Sequence, residues 1–262
     1  MIGNQETPVL DELYHCNSKH SPIQIVFVSA RGARQRERML HALYEEARAR
    51  FKTYTGAPRI VLPQGTADLE MSVGHAIRTR RSRRAFSSAP LSLSELGTLL
   101  RYGYGAHVQA DGSVGRAVPS GGGLYPLDMY VLQLPRGGGQ LAEGVYHYHV
   151  GDHVLQRVRP RCERQHVRHA SIYPDLVASA ASVLVVVADM PRIRVKYGER
   201  AYRLALLEAG HISQSVYLTA SALGLGAVAL DGFYDDAVHA LLDLDGVAQI
   251  ALTLIAVGHV DD

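Results

Sequence analysis

The spacing of hydrophobic residues changes along this chain, and each change marks an element. From Glu37 to Phe51, Leu40, Leu43, Tyr44, Ala47 and Phe51 recur at three- and four-residue steps, the period of an amphipathic helix. Leu69 to Arg81 repeats it, with Leu69, Val73, Ala76 and Ile77 on one face. Ser92-Leu-Ser-Glu95 is a capping-box pattern that starts a short helix toward Arg101, which Gly103 and Gly105 are expected to break. The longest periodic segment runs from Glu199 to Leu223. Leu204, Leu207, Ile212, Val216, Leu223 and several alanines make it apolar around much of its circumference, as in a helix central to a core or to a subunit interface. His211 within it is expected to be a hydrogen-bonded core histidine. Asp235 to Leu242 is a further short helix.

Strand patterns fall between these helices. Ile23–Val28, Leu127–Leu134 and Ile250–Val257 read as strands, and Gly144–Val150 with His153–Val158 as a hairpin across Gly151-Asp152. Val183 to Ala188 is a continuous β-branched apolar run, which predicts a strand buried on both faces. Helices and strands do not alternate regularly, so the fold class is α+β rather than α/β. Pro58 to Gly65 reads as a linker. The expected division is an accessory segment over 1–66 and a main domain over 67–262.

Composition narrows the function. The hydrophobic content of 47% supports a substantial core over 262 residues. Lys and Arg number 27 against 25 Asp and Glu, a formal charge of +2, which argues against a nucleic-acid partner. The charge is uneven, however: Arg78, Arg80, Arg81, Arg83 and Arg84 crowd together without interleaved aromatics, as in an anion site or a solvated basic face. Cys16 and Cys162 are too few for a disulfide framework or a zinc site, which fits a reducing cytoplasm. The start of the chain lacks a signal-peptide pattern, and no apolar run reaches the roughly 18 residues needed to span a membrane.

Four constellations could carry chemistry. Arg116 to Tyr130 contains Pro119-Ser-Gly-Gly-Gly-Leu-Tyr-Pro126, three glycines held between prolines and delivered into a strand. Such a backbone can approach a flat or charged ligand closely. Neither a Walker lysine nor a Rossmann order accompanies it. Arg80, Ser82 and Arg84 alternate, so an extended segment would present two guanidiniums and a hydroxyl on one side, suited to a phosphate. Lys196-Tyr197 can serve as base and proton donor where the surroundings tune them. His147, His149 and His153 lack a completing carboxylate or cysteine, so they are expected as polar positions on a solvated hairpin rather than metal ligands. Leu223-Gly-Leu-Gly226 follows a helix and reads on its own as a glycine stop.

Taken in order, Arg-Arg-Ser-Arg-Arg-Ala-Phe86, Leu-Ser-Leu-Ser-Glu-Leu96 and Pro-Ser-Gly-Gly-Gly-Leu-Tyr-Pro126 resemble the nitroreductase superfamily, and within it the SagB-type azoline dehydrogenases. Lys196-Tyr-Gly-Glu-Arg-Ala-Tyr-Arg203, Leu207-Glu-Ala-Gly-His211, Leu223-Gly-Leu-Gly226, Asp231-Gly-Phe-Tyr-Asp235 and Tyr14-His-Cys-Asn-Ser-Lys19 extend the resemblance. It departs at Gln214-Ser215, where the family often has Gln-Asn, and in the short stretch after Gly258-His259. The resemblance implies a mixed or antiparallel sheet flanked by helices, and a homodimer built on the long central helix with FMN at the subunit interface. Arg80, Ser82 and Arg84 would hold the phosphate and ribityl chain, and Pro119, Ser120, Gly121 and Gly122 would lie against the flavin from the partner subunit. Leu225 and Gly226 would lie near the isoalloxazine, Gln214 belongs to the same cofactor set, and Lys196 and Tyr197 match the catalytic pair. The implied reaction is oxidation of thiazoline or oxazoline rings on a peptide or carrier-bound substrate, beside a cyclodehydratase or nonribosomal peptide synthetase. A nicotinamide-driven nitro- or ene-reductase and an inactive flavin-binding scaffold are the alternatives.

Overall fold

The computed structural model describes Ala42 and residues 51–261, apart from 65–68, 109, 111–113 and 137. The expected strand over Ile23–Val28, the Asn-Ser-Lys segment and nearly all of the Glu37–Phe51 helix lie outside these residues.

The centre is a seven-stranded sheet in the order β1-β6-β5-β4-β7-β9-β8, antiparallel at every pairing. Its strands are β1 (Arg59–Val61), β4 (Leu127–Gln133), β5 (Gly144–His149), β6 (Val154–Arg159), β7 (Ser182–Asp189), β8 (Gly226–Leu230) and β9 (Gln249–Gly258). A separate two-stranded ribbon joins β2 (Ala106–Val108) to β3 (Val114–Arg116). The helices are α1 (Val73–Thr79), α2 (Leu93–Tyr104), α3 (Arg164–His169), α4 (Pro174–Ser179), α5 (Met190–Tyr197), α6 (Ala201–Ala222) and α7 (Asp235–Leu242).

Strand alternation sorts the sheet into two cores. On β7, Leu184, Val186 and Ala188 face α2, α5 and α6, where they meet Leu96, Leu100, Ile193, Ala209, Ile212 and Val216. Val183, Val185 and Val187 face the opposite layer, with Val167, Val177, Val238 and Leu242 of α3, α4 and α7. A strand covered on both sides needs no polar face, which explains its unbroken apolar run.

Local chemistry fixes the helix ends. Ser92 Oγ accepts from the Glu95 amide at 3.1 Å, and Glu95 Oε2 accepts from the Ser92 amide at 2.8 Å, completing the capping box. The helix ends at Tyr104 with Gly105 as its C-cap, as expected, but it runs through Gly103, where a Cβ would stand 2.9 Å from Val216 Cγ2. That glycine lets α2 approach α6 rather than ending α2.

Three expectations are overturned. The Pro58–Gly65 linker contains β1, an edge strand paired with β6, so the main sheet already includes residues before the expected boundary at 66. The hairpin histidines are not solvated: His147 and His153 are buried. His147 Nδ1 meets Gln156 Oε1 at 3.1 Å, and His153 Nδ1 meets the Tyr148 hydroxyl at 2.8 Å. The segment from Phe51 to Tyr54 covers this part of the sheet, with the Tyr54 ring 5.3 Å from His147. His211, conversely, is exposed on α6 instead of buried in the core.

Candidate active site

Lys196 and Tyr197 end α5. Asp189 caps the start of that helix by accepting from the Arg192 amide at 3.4 Å, and Gly198 at φ 53° stops it immediately after Tyr197. Arg192 lies one turn before Lys196 on the same face. Its guanidinium is buried, 3.6 Å from Asp128 Oδ1 and 3.2 Å from Asp189 Oδ2, and it donates to the Tyr125 carbonyl at 2.9 Å. Burial alone would raise the Asp128 carboxyl, but Arg192, with His147 and Lys52 nearby, holds it well below the usual carboxylate range. Helix α5 is thus tied to the start of β4 and to the end of the glycine loop.

The loop meets the Lys-Tyr pair directly. Gly121–Gly123 form a single 3-10 turn, with Gly122 left-handed at φ 65°. A Cβ at Gly122 would stand 2.7 Å from the Tyr197 hydroxyl and 2.8 Å from Lys196 Nζ. A Cβ at Gly121 would stand 3.3 Å from Leu204 of α6. The close approach expected of this loop is therefore made, at Gly122, by the chain's own two side chains. Pro119 is exposed and Ser120 half-buried.

Beneath the loop lies a buried polar group that sequence reasoning assigned no role. Glu208 of α6 accepts from the Tyr104 hydroxyl at 2.7 Å and from the Ser120 hydroxyl at 2.5 Å. Ser120 Oγ also accepts from the Tyr125 amide at 2.9 Å. The Arg116 guanidinium lies over the Tyr104 ring at 4.3 Å and over Tyr125 at 5.1 Å. Burial raises the Glu208 carboxyl to about 7, against the opposing pull of the Ser120 and Tyr104 hydrogen bonds and the Arg116 and Arg192 charges. The available signal was an acidic residue among Ala201, Leu204, Ala205 and Ile212, on the apolar stripe of a long helix.

The arginine cluster divides. Residues 80–84 are extended, with Ser82 bridging Ala227 of β8 in parallel. The Arg80 guanidinium lies 5.1 Å from the Tyr217 ring centre, and Ser82 Oγ lies 3.2 Å from the Tyr217 hydroxyl. Tyr217 thus gathers two of the three expected anion groups. Arg84 instead lines a cavity of about 330 Å³ with Tyr173, Leu176 and Val228–Gly232. Leu225 is buried in the core, and a Cβ on Gly226 would meet Val260 at 2.5 Å and Arg83 at 2.9 Å. Gly226 is therefore required by this chain's own packing. Gln214 is exposed on α6. Among the described residues, no group of His, Cys, Asp or Glu has the arrangement of a metal site, and no helix is long and apolar enough to cross a membrane.

This fold and sequence define a class: the chain belongs to the nitroreductase family, whose model matches residues 77–259. It is 34% identical over 189 residues to the Methanocaldococcus jannaschii protein MJ1384, named for the same family, covering 72% of this chain and 91% of that one. It is 31% identical over 160 residues to the Escherichia coli microcin B17-processing protein McbC, covering 58% of this chain and 57% of McbC. Among solved structures, it matches a chain of the Escherichia coli microcin synthetase McbBCD complex with truncated pro-MccB17 bound. The TM-score is 0.60 at 22% identity, over 93% of this chain and 99% of that chain, a likeness of fold. The resemblance to the nitroreductase superfamily is thereby borne out.

Proposed function

We propose that the protein is an FMN-dependent oxidoreductase that converts thiazoline or oxazoline rings of a peptide or carrier-bound substrate to thiazoles or oxazoles. The observation that carries this reading is the contact of Gly122 with Lys196 and Tyr197, which joins a side-chain-free loop to a proton-handling pair. The residues fit a flavin mononucleotide. Arg80 and Ser82, gathered at Tyr217, offer a guanidinium and a hydroxyl to a phosphate. The half-buried glycines offer backbone without side chains to a flat ring. Gln214, Leu225, Gly226, Pro119, Ser120 and Arg84 complete the proposed cofactor set, although Arg84 lines a separate cavity in this structure. Bound FMN supplies the two-electron acceptor, and oxygen is the final oxidant.

The chain's own residues handle the proton. Aromatising an azoline requires loss of the proton on the ring carbon derived from a Cα. Lys196 and Tyr197 are proposed to take or orient that proton, at positions fixed by the Arg192–Tyr125 link and by the Gly198 stop. Tyr202, Leu206 and Leu207 are exposed along α6, which supports a homodimer built on that helix. The likeness to a chain of a synthetase complex supports a cyclodehydratase-type or nonribosomal peptide synthetase partner here too, with residues 1–66 proposed to dock a partner or substrate or to complete the dimer.

The test is to incubate the purified, yellow protein with a thiazoline peptide in air and weigh the product. Loss of two hydrogens supports the reading, and unchanged mass with FMN loaded contradicts it. A nicotinamide-driven nitroreductase is the second reading, favoured by the match to MJ1384. Rapid bleaching of the flavin by NADPH, without azoline oxidation, would select it.

A further inference from the structure

The Glu208 carboxylate is in direct contact with the glycine loop. Its two oxygens reach opposite ends of that loop. Oε2 takes the Ser120 hydroxyl at the start. Oε1 takes the Tyr104 hydroxyl, which itself accepts from the Leu127 amide at 3.3 Å, just beyond the loop's end. Gly122, the residue under Lys196 and Tyr197, lies between these two anchors.

We propose that Glu208 is a positioning residue: it pins both ends of the glycine loop to α6, and its proton sets how firmly the loop is held against Lys196 and Tyr197. This deepens the oxidoreductase reading and rests on it for its catalytic meaning, but not for its test.

The groups facing Glu208 define the effect. Tyr104 comes from α2, Arg116 from β3, Arg192 from α5 and Ser120 from the loop itself. The neutral acid and the carboxylate can both bridge the two hydroxyls, but the carboxylate carries a charge into a site nearly closed to water. If the loop lifts, water reaches the carboxyl and the charge is no longer penalised. The closed arrangement therefore binds a proton more tightly than the lifted one. By linkage, lifting becomes easier as pH rises from the ordinary glutamate range to about 7, and then levels off.

Amide hydrogen exchange on the full chain, with and without added FMN, reads this directly. Protection of residues 120–127, corrected for intrinsic exchange, should fall about tenfold or more between pH 5.5 and pH 8. Protection of Val183–Ala188 in the buried strand should not follow that trend. Glu208→Gln, neutral throughout, should keep the loop protected and abolish the trend. If that variant does not fold, Glu208→Met, which also carries no titrating group, takes its place and must abolish the trend in the loop. A flat profile in the unmodified protein, or a trend that survives Glu208→Gln, overturns the proposal. Failure to oxidise azolines would leave these exchange results unchanged, so the two readings fail separately.

Discussion

Gly122 and Lys196 touch across the candidate site: a Cβ on the glycine would stand 2.8 Å from the lysine Nζ. Both atoms that block it, Lys196 Nζ and the Tyr197 hydroxyl, are ends of movable side chains, so Gly122→Ala should fold and displace them. The left-handed backbone adds about 1–2 kcal/mol of strain. Thermal melts should show that modest loss, while azoline oxidation should fall more than tenfold. An alanine variant with unaltered turnover would remove the contact from the mechanism.

Arg192 should be the costliest single truncation near the site. Arg192→Met leaves Asp128 buried without its cation, a loss of about 3–5 kcal/mol. Pairing it with Asp128→Asn should recover much of that. The sign with pH follows from the lowered Asp128 carboxyl. Its stabilisation is present above the ordinary carboxylate range and is lost as pH falls below that range. Denaturant titrations from pH 7 to pH 3 should therefore show a smaller acid loss in Arg192→Met than in the unmodified chain.

Glu208 has the opposite sign. Its carboxyl, raised to about 7 in the fold, makes the native state bind more protons than the unfolded chain between the ordinary glutamate value and neutrality. Stability should decline across that window and stay low above it. Glu208→Gln should melt higher than the unmodified protein at pH 8, by on the order of 2 kcal/mol, and match it near pH 5.

The exposed α6 stripe gives a test of assembly. Leu207 is 57% exposed and Leu206 42% exposed, on the face that also carries Gly210, His211 and Gln214. Leu207→Arg should leave the folded chain intact, since the side chain is largely exposed. If α6 pairs two copies, the variant should sediment as a monomer and bind FMN more weakly.

Much of the fold was legible because its signals are local. The capping box at Ser92 and Glu95, the double-sided run of β7 and the helix over Asp235–Leu242 each depend on residues within a few positions of one another. The Lys-Tyr pair and the glycine loop were legible as motifs, but their contact joins residues far apart in sequence. The β1 strand was missed because three residues between Pro58 and Pro63 carry no period. His147 and His153 were misread because their burial depends on distant partners and on the segment around Tyr54. Arg84 parts from Arg80 and Ser82 because one bridge at Ser82, not a full ladder, aligns that segment with β8. Glu208, Arg192 and Asp128 form their network from three separate elements, and no short motif encodes it.

The most direct measurement compares product mass from a thiazoline peptide incubated with the unmodified protein, Lys196→Ala and Tyr197→Phe, each matched for FMN content by visible absorbance. Loss of two hydrogens is expected with the unmodified protein, and a large fall in rate with both variants at equal flavin occupancy. Full activity in the double variant Lys196→Ala/Tyr197→Phe would contradict this reading.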